Sequence, residues 1–364
     1  MYFPTNRGWS HQLIRLIGES HNGGGDFGEI TRAASKMKVG DQESWYAEWK
    51  AMGEHVEELA SIALSSGNTV TSRQAYFRAS NYYRMADFYL DRNDPRELST
   101  YEKHVHLFGK GADLATPKIE NVTVPFEGNS LHSYFIPSDS KAPTLIAFGG
   151  ADATCEEVYF NTGVEAHTRG FNVLLVDGPG QGYTLRFPKL YAIFDFERAV
   201  GAAIDFLLKE KPQLVDPAKI GMLGRSMGGY YASRAAAMEK RIKATIVWDA
   251  IFNIEEDVYD YFPNVRRAIN WDLGAENEND ARTKLAKFNL NGVADKIQCP
   301  VLIVHGSEDY VSSPKAAEKL FAAIQTKDKE LRWYKAGHGV SAYRAEATAS
   351  ALDWLKTRLA NWKP

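Results

Sequence analysis

From Trp45 onward, apolar residues recur at Trp49, Met52, Val56, Leu59 and Ala63. Steps of three and four put them on one stripe of a helix, and Gly67 offers a stop behind it. A second helix is predicted from Thr71 to about Asp91, with Ala75, Ala79, Tyr82, Tyr83, Ala86 and Tyr89 facing inward. A third is predicted from Asp94-Pro95, an N-cap residue followed by proline at the first helical position. It should run to about Phe108 and stop in the Gly109–Gly111 region. No self-similarity at a fixed period links the three, which argues against a helical repeat array.

The pattern changes near residue 117. Asn121–Phe126 and Ser130–Pro137 read as short strands joined by a turn at Glu127-Gly128-Asn129. Continuous apolar runs follow at Thr144–Phe148, Asn172–Val176, Ile220–Leu223, Ala244–Trp248, Val301–Val304 and Leu331–Tyr334. Helical stretches at about 156–169, 190–209, 227–239, 316–325 and 342–359 separate them. Runs apolar on both faces indicate buried parallel strands. An antiparallel start followed by βαβ units predicts an α/β fold, a mostly parallel sheet flanked by helices. The stretch 252–297 is longer than a crossover needs and holds many aromatics and acids. It is expected to fold over one end of the sheet as a lid-like insertion.

Composition narrows the class. A chain of 364 residues allows about two domains. With 44% hydrophobic and 24% charged residues, wholesale disorder is excluded. Lys and Arg number 43 against 46 Asp and Glu, a net charge of −3, so nothing global attracts nucleic acid or an anionic membrane. Two cysteines, Cys155 and Cys299, make no disulfide framework, and there is no CxxC for structural zinc. No apolar run approaches the ~18 residues of a membrane helix, and the N-terminal residues do not resemble a secretory signal. A cytoplasmic protein acting on a small molecule is expected, with no nucleic acid, membrane, metal or cofactor.

The strongest chemical signal is Gly224-Arg225-Ser226-Met227-Gly228-Gly229, which follows the strand KIGMLG and opens an Ala-rich helix. A serine at a sharp strand-to-helix turn lifts its hydroxyl into a cleft. The same turn aims the Met227 backbone N–H, at a helix N-terminus, toward a developing oxyanion. A nucleophilic serine needs a base and an orienting acid, here expected in the order Ser, acid, His. Asp309 lies beyond the strand VLIVHG, and His338 sits between two glycines after the last strand. Each of the three falls at a strand's C-terminal end, where ligands bind in open α/β sheets. Ser226 is assigned as nucleophile, His338 as proton shuttle and Asp309 as the carboxylate that holds the imidazolium. The second oxyanion donor should come from Phe148-Gly149-Gly150-Ala151-Asp152, with Gly150 and Ala151 both open. Asp177-Gly-Pro-Gly-Gln-Gly182 departs from phosphate-loop spacing and reads as a structural turn.

With GRSMGG, DGPGQG, the Asp309 loop and AGHG in place, residues 117–364 resemble the α/β-hydrolase superfamily. The preceding Arg78-Ala-Ser-Asn-Tyr-Tyr-Arg-Met-Ala-Asp-Phe-Tyr is similar to a subgroup with an N-terminal helical cap. That subgroup includes 2,6-dihydroxypseudooxynicotine hydrolases, esterases of the fermentation-respiration switch type and fungal hydrolases that shorten polyketide chains. The resemblance divides the chain into a helical cap region, 1–116, and a catalytic domain, 117–364.

It implies hydrolysis of a carbonyl compound, including cleavage of a C–C bond next to a ketone in a polyketide-like or aromatic substrate. It also implies a homodimer. An extra carboxylate on the segment after the next strand is implied as well. Asp249, Glu255, Glu256, Asp257 and Asp260 are available there, and Asp257 or Asp260 is favoured. In the cap, Tyr82, Tyr83 and Arg78 are candidate substrate contacts, although tyrosines at helical spacing are more often core residues. An ester, lactone or thioester hydrolase, an acyl-enzyme cyclase, and a non-catalytic ligand-binding protein on the same fold stay open as alternatives.

Overall fold

The computed structural model describes residues 2–361. The chain divides between Glu120 and Asn121 into two compact units.

The first unit is helical: α1 (Arg7–Glu19), α2 (Phe27–Lys36), α3 (Gln42–Ser65), α4 (Thr69–Asp87) and α5 (Glu97–Asp113). Side chains of Asn6, Asp26 and Asp41 accept the free N–H groups that open α1, α2 and α3. Trp9, Trp45 and Trp49 are buried together, with the Trp9 and Trp45 rings 4.8 Å apart. The Trp45 indole N–H donates to the Met85 carbonyl at 2.6 Å. Three of these helices match the periodic stripes. The short α1 and α2 lie outside the predicted ones.

The third predicted helix is corrected at both ends. Asp94 accepts the Arg96 N–H in a turn before the helix begins, and α5 runs through Gly109 and Gly111 to Asp113. Gly111 is a packing glycine: a Cβ there would meet the Phe77 ring at 2.6 Å. Tertiary contact overrides the low helix propensity of glycine.

The second unit contains an eight-stranded sheet in the order β1-β2-β4-β3-β5-β6-β7-β8. The strands are β1 (Glu120–Phe126), β2 (Asn129–Ile136), β3 (Ala142–Phe148), β4 (Asn172–Val176), β5 (Val215–Arg225), β6 (Ala244–Trp248), β7 (Val301–Gly306) and β8 (Lys329–Tyr334). Glu127 and Gly128 both take positive φ in the turn between β1 and β2, as a two-residue hairpin loop requires. β2 pairs antiparallel with β4, and all pairs from β4 to β8 are parallel. This is the mostly parallel α/β sheet expected from the alternating apolar runs.

Between the strands run α6 (Cys155–Val158), α7 (Val164–Thr168), α8 (Gly182–Arg186), α9 (Glu197–Glu210) and α10 (Met227–Met238). They are followed by α11 (Arg266–Asp272), α12 (Glu278–Leu285), α13 (Pro314–Ala323) and α14 (Arg344–Ala360). A π-helical turn, Tyr159–Gly163, joins α6 to α7, and another spans Glu255–Tyr259.

The predicted stretch 190–209 becomes helical only from Glu197, because Leu190 and Ala192 are tied into loops through Gly180 N–H and the Asp272 carbonyl. Segment 252–297 sends Val258, Tyr259, Ile269, Leu273 and Leu285 into the same core as the sheet residues Ile146, Met222 and Val247. Among the described residues no helix is long and apolar enough to cross a membrane.

β3 and β5 are neighbours, and the connection after β3 runs to β4 on one side while the connection after β5 runs to β6 on the other. The crevice at such a switch point is where α/β sheets bind ligands. The loops after β3 and β5 meet there.

Candidate active site

Buried β5 ends at Arg225, and α10 begins at Met227. Ser226 is the single residue between them, with φ 57° and ψ −123°. This left-handed conformation is costly for a side chain with a Cβ, and the close approach around it holds it. A Cβ on Gly224 would lie 2.0 Å from the Gly228 carbonyl oxygen. Only glycine at 224 lets strand and helix come so near.

His338 follows β8 and Asp309 follows β7. His338 Nε2 lies 2.9 Å from Ser226 Oγ. His338 Nδ1 lies 2.8 Å from Asp309 Oδ2. Asp309 also accepts the Val311 and Ser312 N–H groups and the Ser312 hydroxyl. Tyr261, in segment 252–297, donates to the Asp309 carbonyl at 3.2 Å. A hydroxyl, an imidazole and a carboxylate in this sequence can take a proton from Oγ and stabilise the imidazolium that results.

The electrostatics follow from what faces what. Burial works to lower the His338 pKa, but the charges of Asp309 and then Asp249 outweigh it and hold it up to about 9. Burial works to raise Asp309, and the charge and hydrogen bond of His338 pull it below the ordinary carboxylate range. His305, on β7 and fully buried, is 3.6 Å from the same Asp309 oxygen.

Gly150, in the loop after β3, lies against the serine: a Cβ there would meet Ser226 Cβ at 2.8 Å and Oγ at 3.1 Å. Ala151 is the next residue and is half-buried. The Met227 N–H opens α10 beside the serine.

The DGPGQG turn proves to be joined to this loop. Gln181 donates its amide to the Gly149 carbonyl at 2.6 Å and lies 3.3 Å from that of Gly150. Asp177 accepts the Cys155 and Tyr183 N–H groups at 2.7 and 2.8 Å, pinning the starts of α6 and α8. Burial, then the nearby charge of Glu156, push the Asp177 carboxyl up to about 7.

Five sequence candidates have other partners. Asp257 accepts the Phe252 and Asn253 N–H groups, and its own carbonyl receives Ser313 N–H, so it closes a turn. Asp260 is exposed in an ion-pair network with Arg266 and Arg282. Arg78 forms a bidentate pair with Glu29. Tyr82 is fully buried, donates to Glu29 at 2.6 Å and accepts the Asp26 N–H at 2.9 Å. Tyr83 is buried against Gly53 in the helical unit, beneath the Lys103 ammonium. All three cap residues find these partners within the helical unit, Tyr82 and Tyr83 as buried side chains of α4.

Asp249 was one of five acids on its segment, and the structure singles it out. It directly follows β6, is fully buried, and its Oδ2 lies 3.9 Å from His338 Nδ1. Its place at a parallel strand's C-terminal end was the signal that could have found it. Arg225 and Gln181 carried no comparable signal.

Among the described residues two groups bring His, Cys, Asp or Glu ligand atoms within 4.8 Å of one another. One is Asp249, Asp309 and His338, the site itself. The other is His132, Cys155 and Glu156, where His132 and the Tyr134 hydroxyl already share one Glu156 oxygen at 3.2 and 3.1 Å.

Residues 160–361 match the family described as the prolyl oligopeptidase family. Over 401 residues the chain is 30% identical to an alpha/beta hydrolase (gkaG) of Penicillium citrinum, covering 96% of this chain and 94% of that protein. It is 28% identical over 399 residues to the 20-hydroxy-prefusarin hydrolase (FUS2) of Gibberella moniliformis, covering 97% and 95%. The fold is similar to the crystal structure of the 2,6-dihydroxy-pseudo-oxynicotine hydrolase, with a TM-score of 0.84, 24% identity, and 94% and 95% of the two chains covered.

Proposed function

Because the chain belongs to the α/β-hydrolases, within the prolyl oligopeptidase family, we propose that this hydrolase uses Ser226 as its nucleophile on a polyketide-like or aromatic ketone, cleaving the C–C bond beside the carbonyl. The observation that carries the nucleophile is His338, which bridges Ser226 Oγ at 2.9 Å and Asp309 at 2.8 Å. The substrate class is supported by the kinship with a hydrolase of 20-hydroxy-prefusarin and by the resemblance to polyketide-shortening hydrolases.

In the first step Ser226 Oγ bonds to the ketone carbon and its proton passes to His338 Nε2. The Met227 N–H and a backbone N–H of Gly150 or Ala151 hold the oxyanion. The C–C bond then breaks. Its electron pair goes to the departing carbon, which takes the proton from His338. Water adds to the acyl-serine and gives a proton to His338. When the acyl–oxygen bond breaks, that proton returns to Ser226 and a carboxylic acid leaves.

The test is turnover of aryl and alkyl β-diketones in 18O-labelled water by the native chain and by Ser226→Ala. One 18O in the product acid and loss of turnover in the variant are expected. An unimpaired Ser226→Ala chain would overturn the nucleophile, and turnover of esters without any diketone cleavage would overturn the bond assignment.

A further inference from the structure

Asp249 is an unusual place for an aspartate. It is fully buried, takes φ 56°, and sits at the end of the strand next to the one that carries Ser226. Both of its carboxylate oxygens face the Gly339 N–H, at 3.2 and 3.1 Å. Its own N–H donates to the Val304 carbonyl at 2.8 Å. The preceding residue, Trp248, donates its indole N–H to the Gly339 carbonyl at 3.2 Å. The end of β6 thus grips Gly339, the residue after His338, by both its N–H and its carbonyl.

Below this grip, the Arg225 guanidinium stacks on Trp248, 3.8 Å from the ring centre. It is held there by Thr162 and Thr348 hydroxyls and the Asn161 carbonyl. A backbone amide is satisfied equally well by a neutral acceptor. A buried carboxylate adds a charge that costs several kcal/mol unless a cation answers it. Burial pushes the Asp249 carboxyl up; a protonated His338 opposes that, the like charge of Asp309 adds to it, and His305 and Arg225 work to lower it.

We infer that Asp249 is a second acid for His338, positioning the imidazole through Gly339 and sharing its positive charge with Asp309. The inference rests on the Ser226–His338 reading above. The charged and titratable groups that face the imidazole are Asp309 after β7, Asp249 after β6 and Asp152 after β3. His305 acts on both buried carboxylates and Arg225 on that of Asp249. Asp152 is half-buried and partly screened by solvent. Asp249 and Asp309 are therefore the two acids that can support each other. Two carboxylates serving one imidazole are redundant in part, and redundancy has a measurable signature.

The experiment is a double-mutant cycle with Asp249→Asn and Asp309→Asn, reading kcat/KM against pH on an activated ester, with Ser226→Ala alongside. Asparagine keeps the acceptor for Gly339 N–H and removes the charge. Asp249→Asn alone is expected to cost about three- to ten-fold and to lower the apparent pKa of the base, with the melting temperature kept. The double variant should lose at least ten-fold more than the product of the single losses. Single losses that simply multiply, or an Asp249→Asn profile lying on the native one, would overturn the inference.

If Asp249→Asn does not fold, Asp309→Asn alone decides. Its base should titrate at or above the ordinary histidine value of about 6.5, because Asp249 remains to offset burial. A value well below that would overturn the inference. Ser226→Ala separates the two readings: an inactive variant with a failed cycle removes only the role of Asp249, whereas an active one removes the triad and this inference together.

Discussion

The Gln181 side-chain amide donates to the Gly149 carbonyl at 2.6 Å, tying a turn after β4 to the loop after β3. Gln181 is itself buried, and its Oε1 accepts the Gly178 N–H at 3.0 Å. The glycine-rich turn therefore braces the loop whose Gly150 lies against Ser226. Replacing Gln181 by Leu keeps the volume and removes the brace. A fall in kcat of about 10- to 100-fold is expected, with KM little changed, since small displacements of a reacting group cost rates of this order. A lower melting temperature with unchanged kcat would show that the brace serves folding alone.

The pH dependence follows from His338. The base works when neutral, and its pKa is held up to about 9. In the free enzyme kcat/KM should rise with pH and level only as this value is passed, well above the ordinary histidine value of about 6.5. The same shift has a stability consequence of fixed sign. A folded pKa above the unfolded one stabilises fully below about pH 6.5, and that contribution disappears as pH rises through about 9. Urea unfolding of the native chain and His338→Gln across this range should differ most at the acid end.

Tyr82 offers a choice between core and substrate contact. Its hydroxyl serves both Glu29 and the Asp26 N–H inside the helical unit. Tyr82→Phe leaves the buried Glu29 carboxylate and the Asp26 N–H short of a partner and should destabilise by about 1–3 kcal/mol. KM should stay unchanged. A raised KM with unchanged unfolding would instead return Tyr82 to the substrate.

Gly111 and Gly109 lie two residues apart on α5 and predict opposite signs. Alanine at 111 would drive its Cβ to 2.6 Å from the Phe77 ring and should cost about 1–3 kcal/mol. Alanine at 109 meets nothing within 4 Å and gains helix propensity of up to about 1 kcal/mol. Chemical denaturation of the two variants checks both.

How far the sequence reached can be judged element by element. All eight strands were legible: the central ones, buried on both faces, as unbroken apolar runs, and β1 and β2 by the turn between them; β8, read as a buried run, is only half-buried because it lies at the sheet edge. Ser226, Asp309 and His338 were legible for a related reason. Each directly follows such a run, and the fold sets the C-terminal ends of parallel strands side by side. Glycine misled on α5, where it marks a close approach to Phe77 and not a helix end.

What the sequence determined by itself was the order of elements and the residues at the strand ends, since these depend on local periodicity. Tertiary structure alone decided which second acid approaches His338, which turn braces the loop after β3, and which tyrosines are core. Asp249, Gln181 and Tyr82 each find their partners dozens of residues away: Gly339, Gly149 and Glu29. A hydrogen bond depends on distance in space, and no spacing along one chain reports that distance.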